Sequence, residues 1–142
     1  MSIAARLPAS GSARLLVVAL VAGVLAAVVN LLVFVVASAA GVPFMVQLGP
    51  GMPFQELNAL PFIFSALMPA LVGAGIYALL LRFTQRGATI FTGLAVVVAL
   101  LSLISPLSMD VAWSTRLVLA LLHLTTAAII TMLLVRLYPA QP

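Results

Sequence analysis

The sequence predicts an all-α membrane protein: four antiparallel transmembrane helices in a compact bundle, forming a single domain over residues 1–142. Composition is the first support. Hydrophobic residues make up 65% of the chain and charged residues 6%, with a mean hydropathy of +1.38. Soluble domains carry roughly 25% charged residues, so this chain cannot cover a water-facing surface and must meet lipid over most of its area. The second support is four apolar runs, each near the roughly 20 helical residues that cross a bilayer. The third is the placement of the arginines, which alternates with the runs.

The first span is expected over about residues 15–39. Arg6 and Arg14 before it, and "ASA" at Ala37–Ala39, give it the outline of a cleavable signal peptide. The apolar run exceeds the roughly 7–15 residues of such signals, so a retained span is expected. The second span covers about 58–82, with Pro61 in its first turn and Pro69 inside. Pro69 is expected to bend the helix and free a carbonyl about one turn before it. The third covers about 88–105 and stops at Pro106. The fourth covers about 114–137 and stops at Pro139, with Ser114 or Thr115 as its cap.

All six basic residues are arginines. Arg6, Arg14, Arg82, Arg86 and Arg136 fall on one side of four spans, while Arg116, Glu56 and Asp110 fall on the other. The positive-inside rule then puts both termini in the cytoplasm of a bacterial inner membrane. The net charge of +4 and the pI near 11.3 therefore report topology. No basic stretch exists to track a phosphate backbone, so a nucleic-acid partner is not expected. The bilayer is the expected partner, with self-association or a larger membrane complex beside it. The absence of cysteine removes disulfides, thiolate catalysis and Cys-type zinc or iron–sulfur sites.

The longest connector, "GVPFMVQLGPGMPFQELNALP", holds "PFMVQL" and "PFQEL" on either side of "GPG". A small hairpin or an interfacial flap is expected, serving as a packed connector or as a lid. Trp113, in the last connector, suits an interfacial aromatic belt. Small residues are expected to carry helix packing, because lipid gives little hydrophobic drive for association. Ala66, Ala70, Ala74 and Ala78 form one stripe, and Ala19, Gly23 and Ala27, with Ala22 and Ala26 beside them, form another.

His123 is the single histidine of the chain and lies in "LALLHLTTAAII". With Arg116, Ala120, Ala127 and Thr131, and Thr126 beside them, it forms a small and polar stripe expected to face the bundle. Asn30 behaves alike in the first span, and at 1.5 Å per residue both lie about 12–14 Å deep. Met68 falls at a similar depth, with Ser65 one turn further out. The candidate polar intramembrane site is therefore Asn30, His123, Ser65, Thr126 and Arg116. Three roles compete for His123. It pairs structurally with Asn30, a threonine or a freed carbonyl. It lines a polar cavity and responds to protonation. Or it ligates haem or a chlorophyll-type pigment, with Met68 as a sixth ligand to haem.

Enzyme chemistry has little to build on. Glu56 and Asp110 are the only carboxylate side chains, and no nucleophile–base motif, metal cluster or phosphate loop appears. The "GAG" at Gly73–Gly75 lies inside a span, where it cannot serve a nucleotide.

An asparagine in the first span, "GVPF" after it, "SPLS" after the third and "TRLVLALLHLTTAA" in the fourth form a combination. It resembles a family of small bacterial four-helix membrane proteins of unknown function. The resemblance implies the same architecture and marks Asn30, Pro69, Arg116 and His123. It carries no activity. The expected role is a non-enzymatic packing or accessory subunit without a cofactor. The alternatives are a minimal transporter or channel protomer with its polar site at Asn30 and His123, and a haem- or pigment-binding subunit.

Overall fold

The computed structural model describes residues 9–47, 49 and 51–139. Arg6 and Pro50, used in the topology and turn arguments above, lie outside these. The described chain runs α1 (Ala9–Ala39), β1 (Met45–Val46), β2 (Gln55–Glu56), α2 (Ala59–Phe83), α3 (Gly87–Ser102), α4 (Ile104–Ser108) and α5 (Trp113–Leu137). Among the described residues four segments are long and apolar enough to cross a membrane: Gly11–Ala39, Ala59–Phe83, Gly87–Ser108 and Trp113–Leu137.

Local chemistry explains the helix ends and corrects two expectations. Asn58 caps α2, its side-chain oxygen accepting from the Leu60 amide at 3.0 Å. Pro61 falls in the first turn of α2, where its missing amide has no helical acceptor to lose. The third span does not stop at Pro106. α3 ends at Ser102, and a second short helix carries Pro106 as its third residue, again a first-turn position open to proline. The fourth span is not capped by Ser114 or Thr115. Its N-cap is Ala112, which has no capping side chain. The Thr115 hydroxyl instead donates to the Pro43 carbonyl at 2.5 Å, tying the start of α5 to the chain leaving α1.

The long connector is a hairpin, with Met45 opposite Glu56 and Val46 opposite Gln55. Gly51 takes φ +77°, a left-handed conformation in the turn that glycine adopts without a Cβ clash. Phe44 and Val46 are buried. The rings of Phe34, Phe44 and Phe62 meet with centroids 4.6–6.0 Å apart. The hairpin is thus packed onto the ends of α1 and α2.

α1 packs against α2 and α5, and α3 packs against the same two helices from the opposite side without meeting α1. The α1–α2 seam is built from small residues: Ala19, Ala22, Ala26, Ala66 and Ala70 are wholly buried. A Cβ built on Gly23 would come within 3.1 Å of the Ala70 methyl. Close backbone approach of this kind supplies the dispersion contacts that lipid does not replace. Leu79, on the other side of α2, is 57% exposed.

Three hydrogen bonds set the register of α1 and its flanks against α5: Arg14 to the Leu137 carbonyl, Asn30 to Thr126, and Thr115 to the Pro43 carbonyl. A fourth joins the Tyr77 hydroxyl of α2 to the Tyr138 carbonyl at 2.9 Å. It supplies a donor to an acceptor just past the end of a helix, where carbonyls lack partners.

Candidate functional site

α5 buries Thr115, Leu122, Thr126, Ile130 and Leu134. These residues, at spacings of four and seven, form its true inward face. The stripe expected to face inward, through Arg116, Ala120, His123 and Ala127, is rotated off that face. Leu and Ile fill the inward face because they pack against the alanine seam and the phenylalanine cluster. His123 lies at its edge and is exposed to the protein's surroundings.

Asn30 does not pair with His123. Its amide nitrogen donates to Thr126 Oγ1 at 2.9 Å, and Thr126 Oγ1 approaches Asn30 Oδ1 at 3.2 Å. Asn30 is 1% and Thr126 7% exposed, so the pair satisfies two polar groups that would otherwise be stranded. Both were visible in the sequence as polar residues in apolar runs. Their partnership depends on helix rotation, which a one-residue difference in the assumed face alters by about 100°.

His123 Nδ1 lies 2.7 Å from the Leu119 carbonyl one turn earlier on α5. A carbonyl can only accept, so in the neutral ring Nδ1 carries the proton and Nε2 keeps its lone pair. The histidine therefore bonds to its own helix and crosslinks nothing.

A groove of about 430 Å³ runs between α2, α3 and α5. Asn30, Ser65, His123 and Thr126 all line it, so the structure brings four of the five candidate residues to one place. Its walls are otherwise mainly apolar. Val46 and Leu57 of the hairpin region, with Met109, stand at one end, and Phe91, Ile130 and Thr131 lie toward the other. Pro69 also lines it. Lacking an amide, Pro69 withholds the helical donor from the Ser65 carbonyl. The Ser65 hydroxyl donates to Phe62 O at 3.1 Å.

Arg116, the fifth candidate, is not in the groove. Its guanidinium donates to the carbonyls of Val111 at 3.1 Å and Leu107 at 3.4 Å and lies 5.8 Å from the Trp113 ring centroid. It holds the α4–α5 connector rather than a ligand. Met68 is 55% exposed and is not a groove residue. The pairing of His123 with Met68 across a haem therefore does not fit this arrangement. Among the described residues no three of His, Cys, Asp and Glu gather at a metal-binding distance.

The fold and the groove define an all-α polytopic membrane protein with a polar-edged cleft inside its apolar belt. The chain belongs to the Family of unknown function (DUF6069), which covers residues 10–139. No curated protein and no solved structure matches the chain.

Proposed function

We propose that this is a non-enzymatic accessory protein of the bacterial inner membrane that works by binding within the bilayer at the α2/α3/α5 groove. The carrying observation is the groove itself, where side chains from all four spans meet and Asn30, Ser65, His123 and Thr126 are engaged in hydrogen bonding rather than in a nucleophile–base pair. The carboxylates offer no general acid or base there. Glu56 lies in β2, Asp110 lies in the α4–α5 connector, and neither lines the groove.

The proposal places four antiparallel spans with both termini in the cytoplasm. Arg14, Arg82, Arg86 and Arg136 gather at one end of the spans, and the excess of arginine there supports the orientation. A reporter fused after Pro142 is expected to be active only in the cytoplasm, and a tag at Gly51 to be accessible from outside. Export of the C-terminal reporter would overturn the orientation.

The binding role is tested by native mass measurement of the protein released from a mild detergent. The expected result is a retained apolar companion, lost in Gly73→Leu. A Cβ at Gly73 would meet Phe91, Ile130 and Leu134 side chains at 3.7–3.8 Å, so leucine there occupies the groove. A companion retained equally by both proteins, or none in the wild type, would refute the reading.

A transporter is the second reading. A further cleft of about 410 Å³ lies beside α3 and α5, and Ala95, Ala99, Ala127 and Thr131 line both spaces. Small side chains at that boundary favour passage. Proton-dependent flux in liposomes that disappears in His123→Leu would select this reading.

A further inference from the structure

We infer that the groove takes a small, largely apolar molecule bearing one hydroxyl, an alkylphenol or aliphatic alcohol, whose O–H donates to His123 Nε2. The inference rests on the groove being the binding site and adds the chemistry of its occupant.

The polar groups of the groove are arranged to accept. The Leu119 carbonyl fixes the proton on Nδ1 of the neutral ring and leaves Nε2 as an acceptor. No described residue is hydrogen-bonded to Nε2. The Ser65 hydroxyl spends its proton on Phe62 O and keeps lone pairs. The Ser65 carbonyl lies one turn before Pro69 and lacks its helical donor. Ser102 spends its proton on Ala99 O, and Asn30 and Thr126 are bonded to each other. Thr131, the remaining hydroxyl of the lining, lies about 12 Å further along α5.

Complementarity follows. A carboxylate or phosphate finds no arginine in the lining and would meet acceptors. A ketone or quinone meets the Nε2 lone pair at the level of His123, and the one amide N–H that Asn30 does not give to Thr126 belongs to a side chain only 1% exposed. A hydroxyl finds a fixed acceptor, with about 12 Å of mainly apolar wall between it and Thr131. Size agrees, since small-molecule sites occupy about 300–1,000 Å³. The groove's volume of about 430 Å³ suits such a molecule and is far below that of a spanning helix.

The single histidine makes the test specific. Protein carrying ¹⁵N-histidine, in phosphatidylcholine nanodiscs, gives one pair of ring-nitrogen signals. At about pH 9, where an imidazole is neutral, the ring proton is expected on Nδ1 and not on Nε2. 4-Hexylphenol should shift the Nε2 signal and the methyl signals of Leu122 and Ile130. 4-Hexylanisole has nearly the same shape but no O–H. It should leave Nε2 unmoved and, at equal bilayer mole fraction, bind about 2- to 10-fold more weakly, the value of one hydrogen bond. His123→Leu should abolish that preference, and His123→Gln should restore part of it.

A proton on Nε2, or equal effects of the phenol and its ether, would overturn the inference. Equal binding of both at Leu122 and Ile130 would leave the groove as the binding site and remove only the hydroxyl requirement. Failure of both probes to perturb those signals would remove the inference and the groove reading together.

Discussion

Gly23→Ala measures how tightly α1 is pressed onto α2. A methyl at Gly23 would lie 3.0 Å from Leu67 Cδ2, 3.1 Å from Ala70 Cβ and 3.3 Å from Leu67 Cα. Carbon atoms rest at about 3.5–4.0 Å, so the seam lacks room by about half an ångström. The Leu67 methyl can swing away, but Ala70 Cβ and Leu67 Cα move only with the helix. Overpacking of this sort costs about 1–3 kcal/mol. Alanine also gains about 0.8–1.0 kcal/mol over glycine in a helix interior, which blurs a comparison with the wild type. Gly75→Ala removes the ambiguity. It receives the same propensity gain, and a Cβ there meets nothing within 4 Å. The difference between the variants is then the overpacking cost alone, about 1–3 kcal/mol in disfavour of Gly23→Ala. Reversible unfolding in mixed micelles, followed by helicity, gives both values. Equal stability of the two variants would refute the close α1–α2 contact.

Other outcomes follow from the same packing. Ala74→Leu should cost about 1–3 kcal/mol, whereas Leu79→Ile on the exposed face should leave the unfolding midpoint nearly unchanged; equal losses would contradict the assignment of faces. A double-mutant cycle of Asn30→Leu with Thr126→Val should show coupling of about 0.6 kcal/mol, the mean for membrane hydrogen bonds. The cycle of Asn30→Leu with His123→Leu should be additive within about 0.3–0.5 kcal/mol, and coupling confined to that second cycle would reverse the pairing. Gly87→Ala should lower the thermal midpoint more than Gly23→Ala, because its Cβ would sit 2.9 Å from backbone atoms of Leu80 and Leu81, which cannot swing aside.

The spans were legible because their signal is additive: each apolar residue contributes, and a few misplaced ones change little. The alanine stripes were legible because four-residue spacing drifts only about 40° per step and keeps one face over the roughly two or three turns that each stripe covers. The facing of α5 was not. Small residues and buried residues do not coincide there: α5 buries Leu122, Ile130 and Leu134 while Ala120 is only half-buried. In a membrane, leucine is equally at home against lipid and protein, so hydrophobicity does not mark the inward side. His123 follows the small residues to the edge of the inward face, where the Leu119 carbonyl of its own helix satisfies Nδ1. Arg116 is not a groove residue because the carbonyls it serves, those of Leu107 and Val111, lie in the stretch just before α5. Ser65 and Thr126 do line the groove. The sequence signal that reaches Ser65 is proline at 69, which exposes the carbonyl of the residue four before it.

The bond between Asn30 and Thr126 joins positions 96 residues apart in the chain. At about 5–20 residues per second of synthesis, the fourth span follows the first by roughly 5–20 s. Throughout that interval α1 is in the membrane with its amide facing no permanent partner. The order of events is thereby constrained. α1 and α2 can zip along their alanines early, but α1 is locked in rotation only when α5 arrives. Arg14 waits longer, for Leu137 at 123 residues' separation, and Tyr77 waits less long, for Tyr138 at 61, residues at the end of α5 and just beyond it. Closure of this bundle therefore waits for α5, and a ribosome that stops short of Thr126 leaves three inserted helices with an unclosed seam.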